Sequence, residues 1–236
     1  MTPAELIAAM EATWPAATTT QRGPWTIRDG QGGGKRVSAA TALPGWHPTD
    51  LPQAEAAMTA LGQLPLFLIR DGDTALDETL AAQGYRIIDP VIGYAAPLAA
   101  LADVPPAPMT SFPHWPPMAI AESLWAEGGI GPARLAVMQR AQAPKTTILG
   151  RANDRAAGAA FVAIHENIAM LHALEVTPAL RRQGSAHNIL RAAAVWAQQN
   201  GADTLALVVT VANENARRLY ASLGMQPVGQ YHYRQK

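Results

Sequence analysis

The chain has 236 residues, with 18 Lys and Arg against 18 Asp and Glu, and no cysteine. Its length suits one large domain or two small ones. Zero net charge gives no pull toward nucleic acid or an acidic membrane, and the lack of cysteine removes disulfides, thiolate metal sites and a Cys nucleophile. There is no apolar run of about 18 residues and no basic-flanked N-terminal apolar stretch, so neither a membrane span nor a signal peptide is expected, and a cytoplasmic protein is.

The chain reads as two units. In the first, a helix is predicted near Pro3 to Thr13, followed by strands at Pro24 to Arg28 and Lys35 to Ala42. The run Asp29-Gly30-Gln31-Gly32-Gly33-Gly34 reads as the turn between them. Then come a helix around Leu51 to Leu61, a buried strand at Leu64 to Arg70 and a helix at Thr74 to Gln83 stopped by Gly84. Tyr85 to Tyr94 is strand-like with a break at Pro90. Proline is dense between Pro97 and Pro117, which disfavours helix and stiffens the chain. Residues 101–117 are therefore read as a linker between units 1–100 and 118–236.

In the second unit, helices are predicted at Met118 to Glu127 and Ala133 to Gln142, with Gly128-Gly129-Ile130-Gly131-Pro132 between them. Strands follow at Thr146 to Arg151, Ala157 to Ile164 and Ile168 to Val176, with turns at Asn153-Asp154 and Glu166-Asn167. A helix over Ser185 to Gln199 ends at Asn200-Gly201. Leu205 to Val211 is a short continuous apolar run, as in a buried strand. Asn213 to Ser222 is a helix ended by Gly224, and Val228 to Tyr233 is a last strand. This order fits an α/β (α+β) fold, a mixed sheet with helices on its faces.

The sharpest motif is Arg181-Arg182-Gln183-Gly184-Ser185-Ala186, placed between the strand ending at Val176 and a helix. Such a turn aims successive backbone N–H groups at one point, on the positive end of a helix dipole. Gly184 permits close approach and Ala186 leaves it unobstructed. The matching guest is a diphosphate. The spacing resembles the coenzyme A pyrophosphate loop of the GNAT superfamily (Gcn5-related N-acetyltransferases), and Asn213-Glu214-Asn215-Ala216-Arg217-Arg218-Leu219-Tyr220 through Gly224-Met225 resembles that family's second signature.

The resemblance implies a mostly antiparallel GNAT sheet, acetyl-CoA as cofactor and an N-acyltransferase acting on a small-molecule or protein amine. It implies that the main chain of Gln183, Gly184, Ser185 and Ala186, with Arg181 and Arg182, holds the pyrophosphate. It implies that the pantetheine arm pairs with the strand near Leu174 and Val176, that Asn213 both caps its helix and meets that arm, and that Tyr220 serves the departing thiolate. His172 matches the second histidine of a His-x-His pair found in one GNAT member, with Met170 replacing the first. His172 is the candidate base, with Glu175 as its rival and a water chain as the third route for the amine proton. Taken alone, Tyr220 also reads as a core phenol and His172 as a buried structural histidine. Simple alternation points His172 and Glu175 to opposite faces, but a bulge of the kind GNAT strands carry here resets that phase. Trp115 and Trp125 lie near the acceptor region of GNAT domains and are expected to line a substrate pocket.

The first unit parallels the second in element order, with Leu80 at the position of Tyr220 and Pro44-Gly45-Trp46-His47-Pro48 where the pyrophosphate turn would be. It is read as a degenerate GNAT-like copy that binds no cofactor, with an unrelated α/β cap as the alternative. A homodimer is compatible with the sequence. The alternative function is a non-catalytic acyl-CoA-binding regulatory or scaffold protein. Gly30 to Lys35 lacks the first glycine and the Ser/Thr of a Walker A motif and is read as a mobile hairpin turn. No Gly-x-Ser-x-Gly or His-Glu-x-x-His motif is present.

Overall fold

The computed structural model describes residues 1–142 and 144–236. Most of the strands lie in one eight-stranded sheet, and a smaller three-stranded sheet packs beside it. The N-terminal unit contributes α1 (Pro3–Thr13), β1 (Thr18–Arg22), β2 (Trp25–Asp29), β3 (Thr41–Ala42), α2 (Leu51–Ala60), β4 (Leu66–Arg70), α3 (Thr74–Ala82) and β5 (Arg86–Pro97). A connecting stretch holds α4 (Leu98–Ala102), β6 (Ser111–His114) and α5 (Ala119–Glu127). The remainder is α6 (Pro132–Arg140), β7 (Lys145–Ala152), β8 (Arg155–His165), β9 (Ile168–Val176), α7 (Ser185–Gln199), β10 (Thr204–Thr210), α8 (Glu214–Ser222) and β11 (Gln226–Gln235).

The large sheet runs β4-β11-β5-β10-β9-β8-β7-β6. All its pairings are antiparallel except β9 with β10. β1, β2 and β3 form the small sheet, and one parallel bridge, Ala40 to Phe67, ties its edge to β4. The series α1-β1-β2-β3-α2-β4-α3-β5 and α6-β7-β8-β9-α7-β10-α8-β11 have the same order of helix and strand. Their last strands are exchanged: β5 pairs with β10, β11 pairs with β4, and β5 and β11 pair with each other.

The chain chemistry explains most elements. Thr2 and Glu5 form a capping box that starts α1, with a proline in the first turn. Asn153 and Asp154 both have positive φ, at 50° and 58°, and make the two-residue turn joining β7 to β8. Gly184 and Gly224 take positive φ at the start of α7 and the end of α8, where side-chain-bearing residues are disfavoured.

Several elements differ from the sequence reading. β1 was not anticipated, because its residues Thr18–Arg22 are all exposed and carry no apolar alternation. Lys35 to Ala42 is not a strand: Lys35–Val37 is a 3-10 turn, and only Thr41–Ala42 pairs with β2. The break at Pro90 is a bulge inside a continuous β5, where Asp89 has φ 42° and the register to β11 shifts. The proline-rich stretch is not wholly a linker, since Ser111–His114 pair with β7 as the sheet edge, a position proline tolerates. Nor do the units have separate cores. Tyr94, Leu98 and Leu101 pack with Ile189, Leu205 and Tyr220, while Leu6 and Met10 of α1 pack with Met170 and Ala206. A Cβ at Gly93 of β5 would collide with Leu6, so that glycine lets α1 close onto the sheet.

Candidate functional site

β9 and β10 run parallel and in register only from Ile168/Thr204 to Leu171/Leu207, and then part. From His172 to Val176, β9 keeps β8 on one side and has no strand on the other. The strands part where β9 bulges: Phe161 faces His172 but Ala159 faces Glu175, so three steps on β9 match two on β8. Ala173, with φ 52°, takes up the extra residue. The bulge turns His172 and Glu175 to the same face, opposite to what simple alternation gives. Trp125, wholly buried, donates its indole N–H to the Ala173 carbonyl at 2.8 Å and holds the bulge from below.

Between the parted strands lies a cavity of about 230 Å³ lined by Arg36, His172, Ala173, Leu174, Leu207 to Thr210, Asn213 and Tyr220. Tyr220 stands on α8, is 6% exposed and packs on Tyr94 at 5.8 Å between ring centroids. Among the described residues its hydroxyl has no hydrogen-bond partner. Burial pushes its acidity constant up to about 12, so the phenol keeps its proton at neutral pH. Asn213 caps α8 by accepting the Ala216 N–H at 3.1 Å.

His172 is only 2% exposed. Thr13 Oγ1 donates to the Ala9 carbonyl at 2.6 Å, so at 2.8 Å from His172 Nε2 it accepts the ring N–H. Arg36 can only donate, so at 3.0 Å it occupies the Nδ1 lone pair. The ring is therefore the neutral Nε2–H tautomer. Burial, and secondarily the Arg36 charge, hold its pKa well below the usual histidine value. The ring lies 5.0 Å from Trp14, and Arg36 lies 5.1 Å over the same indole. His172 thus lines the cavity, with both nitrogens engaged. Glu175 is paired with Arg181 at 3.0 Å and lies against Gly128, away from the cavity.

The Arg181-to-Ala186 turn starts α7 directly. Arg182 and Gly184 both have positive φ, at 59° and 80°, and no side chain caps the helix. The N–H groups of its first turn are thus left without an intrahelical partner. The Ser185 hydroxyl is buried there without a partner among the described residues. Gln183 accepts from Asn153 at 2.8 Å, which ties the turn to the β7–β8 hairpin. Arg181 differs from the expectation: it turns back to the Val176 carbonyl at 2.9 Å and to Glu175, and so fixes the strand end. An oriented donor fan, an orphaned hydroxyl and an unpaired strand edge leading away from it suit a phosphorylated guest with an amide-bearing arm.

The expectation that Trp115 and Trp125 line the acceptor pocket meets a different arrangement. Trp125 is beneath the bulge, and Trp115 packs on Phe161 with Lys145 4.6 Å above its ring. The tryptophan at the site is Trp14. It borders a second space of about 220 Å³ together with Gly33, Gly34, Lys35, Arg36, Asp89, Arg134, Tyr231 and Tyr233. This space shares Arg36, Ala173 and Val208 to Thr210 with the cavity between the strands. The glycine run is not a hairpin tip: a Cβ at Gly33 would lie 2.6 Å from Val137, so the loop docks on α6 and walls the pocket. Nothing in the local sequence marked Thr13, Trp14, Arg36 or Arg134, because their place depends on α1 and the glycine loop folding over β9.

Residues 115–225 match the model of the acetyltransferase (GNAT) family. The uncharacterized N-acetyltransferase YobR of Bacillus subtilis (strain 168) is 24% identical over 241 residues, covering 95% of each protein. A GCN5-related N-acetyltransferase from Kribbella flavida superposes with TM-score 0.73 at 19% identity, covering 99% of this chain and 95% of that one. A tandem GNAT protein from the clavulanic acid biosynthesis pathway superposes with TM-score 0.62 at 15% identity, covering 84% of this chain and 74% of that one.

Proposed function

We propose that the chain is an N-acetyltransferase of the GNAT superfamily and moves an acetyl group from acetyl-CoA to a primary amine, of a small molecule or an exposed protein amine, by direct attack. The observation that carries this reading is the joining of three features: the donor fan at α7, the unpaired edge of β9 and a buried phenol in the gap between β9 and β10. Gln183, Gly184, Ser185 and Ala186 hold the pyrophosphate through main-chain N–H groups, with Arg182 adding charge. Leu174 and Val176 pair with the arm, and Asn213 meets it. Bound there, acetyl-CoA supplies a reactive thioester carbonyl and a thiolate leaving group.

The residues then divide the work. The gap positions the amine and carbonyl together, the main contribution for so reactive an acyl donor. Tyr220 donates a hydrogen bond to the sulfur as it gains charge. With its own value near 12, full transfer to a thiolate of ordinary basicity is uphill by roughly 3 units, so stabilising the charge is its larger role. His172 lines the gap and Glu175 does not, so the amine proton goes to His172 Nδ1 once Arg36 releases it.

We assign the N-terminal unit as a degenerate GNAT-like copy that binds no cofactor. Its counterpart of α7 follows a His47–Asp50 capping box, and Pro48 and Pro52 remove amide donors. Where β3 and β4 would part, Arg70 donates to the Ala42 carbonyl at 2.9 Å and stitches them together.

The test is calorimetric titration with acetyl-CoA beside an Arg182→Glu, Gly184→Glu variant, followed by turnover with a panel of amines. One site per chain, lost in the variant, with turnover on some amine supports the reading. No binding overturns it, and two sites per chain overturn the degenerate copy.

A further inference from the structure

We propose that the acceptor is an amino carboxylate, an amine whose carboxylate is bound by Arg36 and Arg134 in the pocket walled by the glycine loop. The proposal rests on the transferase reading of the adjoining gap and names the acceptor class for it. The pocket of about 220 Å³ opens from that gap on the side away from α7, so it is where an incoming nucleophile would wait.

Its charged walls are Lys35, Arg36 and Arg134 against a single carboxylate, Asp89. Lys35 and Asp89 are paired with each other at 2.6 Å. Among the described residues neither Arg36 nor Arg134 makes an ion pair, so two guanidinium groups face the space uncompensated. Arg36 is half-buried, held on one side by the Trp14 ring and on the other by His172. One of its five N–H donors is spent on the histidine, which leaves enough for a bidentate carboxylate. Arg134 rises from α6 and its guanidinium lies beside Gly34, where a Cβ would be in ordinary van der Waals contact with it at 3.6 Å. A simple amine or polyamine would bring its positive charge into this field and gain nothing. An amino carboxylate places its anion on the arginines and its amine toward the gap.

The arrangement also gives the release of His172 a cause. Arg36 covers the Nδ1 lone pair, and a carboxylate competes for the same guanidinium. The acceptor that engages Arg36 would thereby uncover the group that takes its proton.

The experiment compares acceptors that differ only at the carboxylate. Free amino acids, their amides and their decarboxylated amines are assayed with saturating acetyl-CoA, using wild type, Arg134→Gln and Arg36→Lys. Loss of a charge-assisted contact corresponds to about tenfold to hundredfold. Wild type is expected to favour the acid over its amide by at least that factor in kcat/KM. Arg134→Gln, at an exposed side chain that makes no ion pair or hydrogen bond among the described residues, should reduce the preference about tenfold, mainly through KM. Arg36→Lys keeps the charge but not the fork, and should lower kcat for acids and move the acidic limb of the pH profile. Equal use of acids and amides by wild type, or an unchanged preference in Arg134→Gln, overturns the proposal while leaving the transferase intact. Failure to acetylate any amine, with no acetyl-CoA binding, overturns the transferase reading and this proposal together.

Discussion

Tyr220→Phe separates a catalytic phenol from a packing one. The ring is buried against Tyr94, and phenylalanine keeps that contact. The hydroxyl has no protein partner among the described residues, so its removal leaves no orphaned donor or acceptor behind. The stability change should stay below about 1 kcal/mol, which for a chain of this size moves Tm by no more than about 2–4 °C. The rate effect is of another order. Removing one preorganised donor from a site of developing negative charge costs about 10²–10³ in kcat. Because burial holds the phenol near 12, Tyr220 should also impose no basic limb on the wild-type pH profile below about pH 10. The assay is release of free thiol from acetyl-CoA at saturating acceptor, followed with a thiol reagent. The protein has no cysteine of its own to react with it. If Tyr220→Phe binds acetyl-CoA normally and keeps more than about a third of kcat, the assignment is wrong and Tyr220 is a core residue lining the gap.

Three further outcomes follow from the same geometry. Gly184→Ala meets open space but must hold φ near 80°. It should cost about 1–2 kcal/mol of backbone energy, less about 0.4–1 regained from the unfolded chain, and lower Tm by a few degrees. Acetyl-CoA affinity should fall with it, and unchanged affinity in calorimetry would show that the α7 fan does not hold the pyrophosphate. His172, with its folded-state pKa depressed, leaves the unfolded chain binding more protons below about pH 6.5. Stability is therefore full above that pH and falls by up to about 1.4 kcal/mol per unit toward the folded value. His172→Gln should flatten that limb in urea titrations between pH 4 and 7, and an unaltered slope would contradict the burial argument. Deleting residues 1–97 strips β5 from between β10 and β11 and should abolish cooperative unfolding. A fragment that still melts cooperatively would refute the shared core.

The sequence made the second unit legible because its signals are local. Ile168–Val176 and Ser185–Gln199 form over the expected residues, since an apolar strand, a Gly184 turn and an Asn200-Gly201 stop are read within a few residues. Tyr220 and Asn213 are marked by motif spacing and its resemblance and line one gap, while Gly184 stands at the start of α7. What stayed hidden is non-local. Arg36 reaches His172 across 136 positions and Thr13 across 159, and no periodicity encodes either contact. The two tryptophans chosen by proximity in sequence were displaced by Trp14 for the same reason. The bulge at Ala173 was anticipated from the resemblance alone, because alanine carries no local preference for positive φ.

The exchange of β5 and β11 makes that non-local dependence a property of the site. In a sheet whose last strand followed β10 directly, α8 would pack on a strand of its own unit. Here it packs on β5, and Tyr220 takes its position from Tyr94. His172 depends on the first unit as fully, because Thr13 and Arg36 fix its tautomer and orientation while Trp14 covers its ring. Tyr220 and His172, the groups proposed to serve the thiolate and the amine, are thus both oriented by residues of the first hundred, although every residue proposed to hold the cofactor comes from beyond it. A change at Tyr94 or Thr13 should therefore act on kcat with little effect on acetyl-CoA affinity. A change at Arg182 or Gly184 should act on affinity first. On the proposed mechanism, that division gives a role to an N-terminal unit whose own helix follows a capped 3-10 turn and whose own gap is stitched by Arg70: it would build the acceptor wall and set the two groups proposed to serve the amine and the thiolate.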